Sequence, residues 1–587
     1  MISYSSTLLP TSRIQQIIQS NWFALFFVLF LSVLLALVNH SWIFQNPGWL
    51  DPWYNVGYGY TFDDPKFGGE LKRGYYKISR IPWLYVQYVF RKFFSPLVAS
   101  YFLQYSCLFT SVMAVYFTVR RLLGYVPALL AATILCVYPE FLGSGGGDYQ
   151  NSLACALYAL CFLVLTIAAQ SDKKTVQWLI FFGCIYATLI HTVVLYLNFL
   201  PVLLFHFYFV RQTFGKITVP FRNIFASFLL GGALSTCFWG LVSKAYGYKF
   251  LFFMTQKGLL ETFLFGQWMA SPWWRSWSSG WLFEASWMGP LTAAMVFSIG
   301  SIIFSYKRRK NNTADSLAYN FNLQFVFLGS LWLLWQVTKK DMLNTPYFAS
   351  LLIIPFVMSV VANFKLYVRD HSSNLYVPMI LGLTTVVFLC FDLHLFVHQY
   401  VPITVFILTL CCFFITFILY KVHVIASMIC LGFACSIPWH MKESSFSVRD
   451  SYLAIVEASR WIYTARGSAK EVFVWFDESN VQNRSPALNQ ISYSLVCAGL
   501  LGYLQAPFPM PSIQNLNLEE VKGHLSRQKT KVVVLVTEDA KHVDEMRSRL
   551  DQIDIHLDLA QVHEVRVGDI HIPMYVLKES SLQIPAL

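Results

Sequence analysis

The chain has 587 residues, of which 56% are hydrophobic, 17% aromatic and only 13% charged. A soluble protein carries roughly a quarter charged residues, so a water-soluble enzyme is excluded and a multi-span membrane protein is implied. The net charge of +12 is no nucleic-acid footprint: Lys and Arg sit mainly in short loops between apolar runs, where orientation and anionic lipid account for them.

Nearly all twelve cysteines fall inside apolar runs, among them Cys107, Cys136, Cys411 and Cys412. No CxxC pair occurs, so neither a disulfide framework nor a zinc site is supported. No small-residue cleavage site follows the first apolar run, which therefore reads as a retained span.

Taken in order, residues 1–20 are polar and a first span covers about 22–38. Residues 39–97 form a long polar loop with Asp51, Asp63, Asp64 and Glu70. Spans near 98–118 and 123–138 follow, then the glycine-rich loop 139–150, then a fourth span near 151–169. Residues 176–210 are too long for one span and read as two short ones with a tight turn, with His191 as a satisfied helix-break residue. A span near 224–243 leads to the loop 244–289, crowded with Trp268, Trp273, Trp274, Trp277, Trp281 and Trp287. Such a belt suits the lipid–water interface. Spans near 290–306, 321–337, 347–363, 376–391, 401–420 and 422–438 bring the predicted total to about thirteen.

The cations set the orientation. A cytoplasmic N-terminus puts Arg120, Lys173, Lys174, Arg211 and the cluster at 307–310 in the cytoplasm. The loops holding Asp51, Asp148 and Glu284, and everything after the last span, then share the exoplasmic face. Lys339 and Lys340 run against the rule, which points to another use for them. Residues 440–587 rise in charge and alternate strand and helix patterns, as a small α/β domain does. Helices are predicted at 447–466, 518–527 and 539–553, and strands at 472–476, 531–537, 562–566 and 570–577, the last two joined by a Gly568-Asp569 turn.

Three loop acids, Asp51, Asp148 and Glu284, are the candidate chemistry. Carboxylates on separate loops can converge on one hard divalent cation, Mn²⁺ or Mg²⁺, and such a cation neutralises a departing phosphate. Gly143 and Gly145–Gly147 let the backbone approach a bulky ligand. The bland alternative is that each acid merely solvates its loop; against it, all three fall on one predicted face. Asp392, His394 and His398 read as interface residues, and Asn311-Asn312-Thr313 and Asn483-Arg484-Ser485 match the short glycan-acceptor pattern.

Asp51-Pro52-Trp53-Tyr54-Asn55 resembles the D-P-W-[FY]-N segment of the oligosaccharyltransferase catalytic subunit family. That resemblance implies a polytopic α-helical GT-C fold over residues 1–439, with about thirteen spans, and an exoplasmic α/β domain over residues 440–587. It implies transfer of a glycan from a polyprenyl-linked donor in the bilayer to protein asparagine. The family's G-x-x-D-x-E pattern meets Gly145, Asp148 and Gln150 here, with Gln in place of the second acid. Its Ser/Thr-x-x-Glu motif meets Trp281-Leu282-Phe283-Glu284, with Glu261 a rival. Asp51 and Glu284 would be catalytic, and Asp51, Asp148 and Glu284 would hold the metal. Lys340, or Lys339, would contact the donor phosphate. The family's Trp-Trp-Asp meets Trp475-Phe476-Asp477, which would bind the acceptor; Phe476 lacks the indole N–H donor. The implied site is a bacterial inner membrane with its active face periplasmic.

Two other readings stand beside it: transfer of a monosaccharide from polyprenyl phosphate to protein, lipid or glycan, and a transporter or flippase. The spans are nearly free of acids, unlike the ionisable mid-membrane sites of transporters. A reporter fused after Leu587 is expected on the exoplasmic side and one placed after Arg309 in the cytoplasm; finding both on one side breaks the predicted span count.

Overall fold

The structure, a computed structural model, describes residues 22, 24–30, 55–59, 62–63, 79–137, 141–142, 149–171, 174–214, 220–254, 288–309, 312–338, 350–369, 448–465, 472–476, 513–526, 531–568 and 570–579. In chain order α1 is Ile81–Phe93, α2 Pro96–Leu123, α3 Tyr125–Val137, α4 Asn151–Gln170 and α5 Thr175–Thr192. A 3₁₀ turn, Val194–Phe199, leads to α6 Leu200–Thr213, and α7 is Phe221–Ala245. Then come α8 Met288–Arg308, α9 Thr313–Thr338, α10 Ser350–Arg369 and α11 Val448–Ala465. The remainder is β1 Phe473–Phe476, α12 Leu518–Ser526, β2 Val532–Val536, α13 Lys541–Asp551, β3 Asp558–Val567 and β4 Ile570–Lys578.

Among the described residues five segments are long and apolar enough to cross a membrane: Leu97–Leu123, Asn151–Gln170, Thr175–Thr192, Val194–Thr213 and Phe221–Ala245. The protein is therefore a helix-rich membrane protein with a small sheet domain near its C-terminus. The predicted third span is a 13-residue helix, shorter than the roughly 20 residues that cross a hydrocarbon core. The predicted spans at 376–391, 401–420 and 422–438 lie outside the described residues.

The first loop departs from its reading as polar. It holds α1, whose Ile81, Leu84, Tyr88 and Arg91 recur at helical spacing and are buried, with Pro82 in the first turn. Charged residues at both ends of the segment hid this periodicity.

Helices α5 and α7 pack in close contact. A Cβ on Gly231 would collide with the Ile180 carbonyl, and one on Gly183 with the Phe228 carbonyl. Small residues permit this approach, and polar rungs then close the seam. The Cys184 thiol donates to the Gly231 carbonyl at 3.2 Å, and the Thr188 and Ser235 hydroxyls pair at 2.9 Å. Trp239 Nε1 donates to Thr188 at 3.0 Å, and His191 Nε2 meets the Thr236 hydroxyl at 3.0 Å. His191 is thus a packing residue held by a hydroxyl and two phenylalanines, Phe252 and Phe253. The opposite side of α7 exposes Phe225, Leu229, Leu234, Phe238 and Leu241, as a lipid-facing surface does.

A second polar lock joins α8, α9 and α10. Asn322 and Asn363 exchange amide hydrogen bonds at 2.8 and 2.9 Å. Ser301 donates to the Asn363 oxygen and Ser359 to the Asn322 oxygen, each at 2.6 Å. The Asn322 and Asn363 amides are thereby both satisfied, as a low-dielectric interior requires.

The C-terminal unit is a sheet in the order β1-β2-β4-β3, with β1 parallel to β2 and the other pairs antiparallel. All five residues of β2 are buried, because helices cover both faces. Val474, Val532 and Val534 join the core that contains α11, whereas Phe473, Trp475, Val533 and Leu535 pack with α12 and α13. On the α11 side Trp461 stacks on His563, centroids 4.5 Å apart and planes 6° from parallel. Burial there lowers the His563 pKa, against the opposing pull of Glu457 and Glu564. The unit docks on the bundle through Tyr452, whose hydroxyl accepts from Arg91 of α1 at 2.7 Å and from Ser100 of α2 at 2.8 Å.

Gly231→Ala is expected to force α5 and α7 apart, an overpacking worth about 1–3 kcal/mol, and to lower the melting temperature in detergent. Gly300→Ala, which meets nothing within 4 Å, should leave it unchanged. Equal melting of the two variants would contradict the seam.

Candidate functional site

One end of the bundle gathers parts of three loops and the C-terminal unit. Asn55 lies in a short helical segment, 55–59. Its Nδ2 donates to Gln150 Oε1 at 2.8 Å across a sequence separation of 95. Both side chains are buried, Asn55 at 0% and Gln150 at 3% exposure. Asn55 Oδ1 is buried and accepts no hydrogen bond. Gln150 is the residue before α4, so α4 carries the second loop's end directly to the first loop.

The surroundings tighten the junction. The Ser152 hydroxyl, on the second residue of α4, donates to Gln104 Oε1 of α2 at 2.8 Å. A small cavity lined by Gln104, Ser111, Phe141, Leu142, Ser152 and Cys155 lies beside that bond. The Arg80 guanidinium lies 6.0 Å from the centre of the Tyr149 ring. Phe62 of the first loop is enclosed by Tyr85, Tyr88, Tyr246 and Tyr248 at centroid distances of 5.9, 5.6, 5.0 and 5.2 Å. The Tyr248 hydroxyl donates to the Phe62 carbonyl at 3.0 Å. The start of the Trp-rich loop is thereby fastened to the first loop. Asp63 accepts from the Tyr88 hydroxyl at 2.9 Å, and Lys92 donates to the same hydroxyl at 2.7 Å.

Asp51, Asp148, Glu284, Glu261, Lys339, Lys340 and Asp477 lie outside the described residues, as do Asp392, His394 and His398. Among the described residues no group of three or more His, Cys, Asp or Glu side chains stands ready for a metal. Of the predicted acceptor-binding residues, Trp475 is on β1 and 1% exposed. Its ring meets His542 edge-on at 5.5 Å on the α12–α13 side of the sheet. Phe476 is the last residue of the same strand.

Sequence reading assigned no role to Asn55, Gln104, Arg80 or Tyr452. The first was visible as the final residue of Asp51-Pro52-Trp53-Tyr54-Asn55. The other three carry no local signal, because each acquires its partner from a distant element.

Comparison of the chain with protein-family models and with curated proteins gives no match in either set.

Trp475→Ala is expected to cost about 3–5 kcal/mol of domain stability, the usual penalty for emptying a core aromatic site. Proteolysis of the C-terminal unit in the intact protein measures this. If the variant resists protease as well as the parent, Trp475 is not the core residue its burial indicates.

Proposed function

We propose that the chain is a GT-C membrane glycosyltransferase with about thirteen membrane helices. It moves a glycan from a polyprenyl phosphate or pyrophosphate carrier to an acceptor, foremost protein asparagine, on the exoplasmic face of its membrane. The observation that supports this reading is the Asn55–Gln150 hydrogen bond. Asp51 precedes one end of that bond by four residues and Asp148 precedes the other by two. Two loops with a candidate acid each are therefore tied together by a buried contact, which solvation of separate loops does not explain.

Asp51, Asp148 and Glu284 would hold Mn²⁺ or Mg²⁺. Carboxylate oxygens are the donor set a hard cation takes. When bound, the cation would neutralise charge on the departing phosphate. Asp51 and Glu284 hold the acceptor nucleophile, while Lys340 and Lys339, with Arg80 beside Tyr149, face the carrier phosphate. The Trp-rich loop is the segment we assign to keeping water from the acceptor, and its start is held where Tyr248 donates to the Phe62 carbonyl. Phe476 and Asp477, at the end of β1, contact the acceptor from the C-terminal unit. A periplasmic active face of a bacterial inner membrane suits this arrangement.

A second reading, transfer of a monosaccharide from polyprenyl phosphate, is favoured by the amide at Gln150. Gln150 stands where the family pattern has its second acid, so the likeness to the oligosaccharide-transferring family is weaker at that position.

Membranes holding the protein, supplied with a polyprenyl-pyrophosphate glycan and an asparagine peptide, should yield glycopeptide. Asp51→Ala and Asp148→Ala should abolish turnover without reducing folded protein. EDTA should do the same, with Mn²⁺ restoring activity. Glu284→Gln should lower kcat and leave carrier binding intact; if Glu261→Gln is dead instead, the loop acid is Glu261. Transfer from polyprenyl phosphate alone selects the second reading, and no transfer from either donor overturns both.

A further inference from the structure

The interior between α4, α6 and α9 holds polar groups in aromatic surroundings. His206 of α6 is fully buried, its ring edge-on to Phe162 at 5.1 Å and tilted against Phe321 at 5.9 Å. It lies within one of the segments long and apolar enough to cross a membrane, about 10 Å along the helix from Thr213. Its Nε2 meets the Thr166 hydroxyl of α4 at 3.0 Å, and that hydroxyl donates its one hydrogen to the Phe162 carbonyl at 2.8 Å. Nε2 therefore carries the ring hydrogen and Nδ1 is an acceptor. Gln324 of α9 completes the chain: its Nε2 donates to His206 Nδ1 at 3.2 Å and to Asn320 Oδ1 at 2.9 Å.

Two polar atoms are left over. Gln324 Oε1 and Asn320 Nδ2 are buried and have no hydrogen-bond partner among the described residues. Turning both amides over does not remove the mismatch. Gln324 Oε1 then accepts from Asn320 Nδ2 and from a hydrogen on His206 Nδ1, while His206 Nε2 accepts from Thr166. Asn320 Oδ1 and Gln324 Nε2 are then the atoms left over. Turning only one amide sets like groups against each other. Each consistent arrangement leaves one acceptor and one donor unmet, on side chains 0% and 2% exposed. Native proteins rarely carry that cost.

The complement must be small and must both donate and accept. A cation would face the unmet N–H, and an anion the unmet oxygen. Water does both, and buried waters typically bridge such groups. The sequence of α9 also supplies an entry. Ser316, Asn320 and Gln324 recur every four residues and so share one row of the helix. At the outer end of that row the half-buried Ser316 and Thr213 hydroxyls lie 3.4 Å apart, where α6 ends. We infer that Asn320 and Gln324 form a water-binding site inside the membrane bundle, entered along the Ser316 row, and that the bound water completes a hydrogen-bonded joint among α4, α6 and α9. This inference is independent of the glycosyl-transfer reading.

The test uses the full chain in lipid bilayers, deuterated and ¹⁵N-labelled at Asn and Gln, with solid-state NMR polarisation passed from water protons to side-chain amides. Signals are assigned by their loss in Asn320→Leu and Gln324→Met. In the parent, transfer should reach Asn320 or Gln324. Asn322 and Asn363 are buried as deeply but bonded to each other, and should receive none. Gln324→Met keeps the volume and removes one of the two polar partners, so transfer to Asn320 should be lost while the melting temperature stays near the parent's. If neither Asn320 nor Gln324 receives transfer in the parent, no water is bound there. Equal transfer to all four amides means general penetration and overturns the site as well. Undiminished transfer to Asn320 in a folded Gln324→Met shows that the two amides do not hold the water jointly. Where that variant does not fold, the comparison of the four amides in the parent decides alone.

Discussion

The Tyr452 hydroxyl fixes the relation between the two halves of the molecule. It accepts one hydrogen bond from Arg91 and one from Ser100, so α1, α2 and α11 meet on a single atom. Arg91 and Tyr452 are buried, and a buried guanidinium needs such acceptors to offset its lost hydration. Removing the hydroxyl would leave the Arg91 N–H without that acceptor, which is why Tyr rather than Phe is required there. From this point the sheet is set in turn: α11 packs on one face of it, and Trp461 stacks flat on His563 of β3. The C-terminal unit is therefore seated on the end of the bundle that also holds Asn55 and Gln150.

Much of the architecture was legible because membrane helices and buried strands advertise themselves by hydrophobic runs. The helix expected near 151–169 spans Asn151–Gln170, and the pair expected across 176–210 is Thr175–Thr192 and Leu200–Thr213. The strand expected at 531–537 is Val532–Val536, and the Gly568 turn lies between β3 and β4. At Gly568 the positive φ of 56° explains the glycine. A helix the hydropathy reading missed, α1, buries Gln87 and Arg91. Polar residues that find tertiary partners break a reading that equates polar with exposed.

The candidate site was legible in a different way. Motif resemblance pointed to the loops of Asp51 and Asp148, but no pattern within either loop says that they touch. Their contact is made by two amides, Asn55 and Gln150, whose complementarity is invisible until the fold sets them opposite each other. The same holds for Tyr248 and Phe62, 186 residues apart in sequence. Pairwise hydrogen bonds across long separations depend on packing, and packing is what hydropathy cannot supply.

The chemistry of position 150 follows from its burial. At 3% exposure a carboxylate would need a cation or several donors to remain charged, since desolvation raises its pKa and favours the neutral form. A glutamine faces no such demand. It accepts from Asn55 Nδ2 at 2.8 Å with no change of charge between protonation states, so this bond is insensitive to pH over the range in which carboxylates titrate. With Glu at 150, the contact between the two loops would depend on what neutralised that buried charge. With Gln, the loops meet through a neutral bond that requires no ion, and the junction is built before any charged ligand arrives. A neutral bond between buried amides thus joins the two loops ahead of any ligand, and a junction already in place spares the ordering entropy that loops pay when they close on binding.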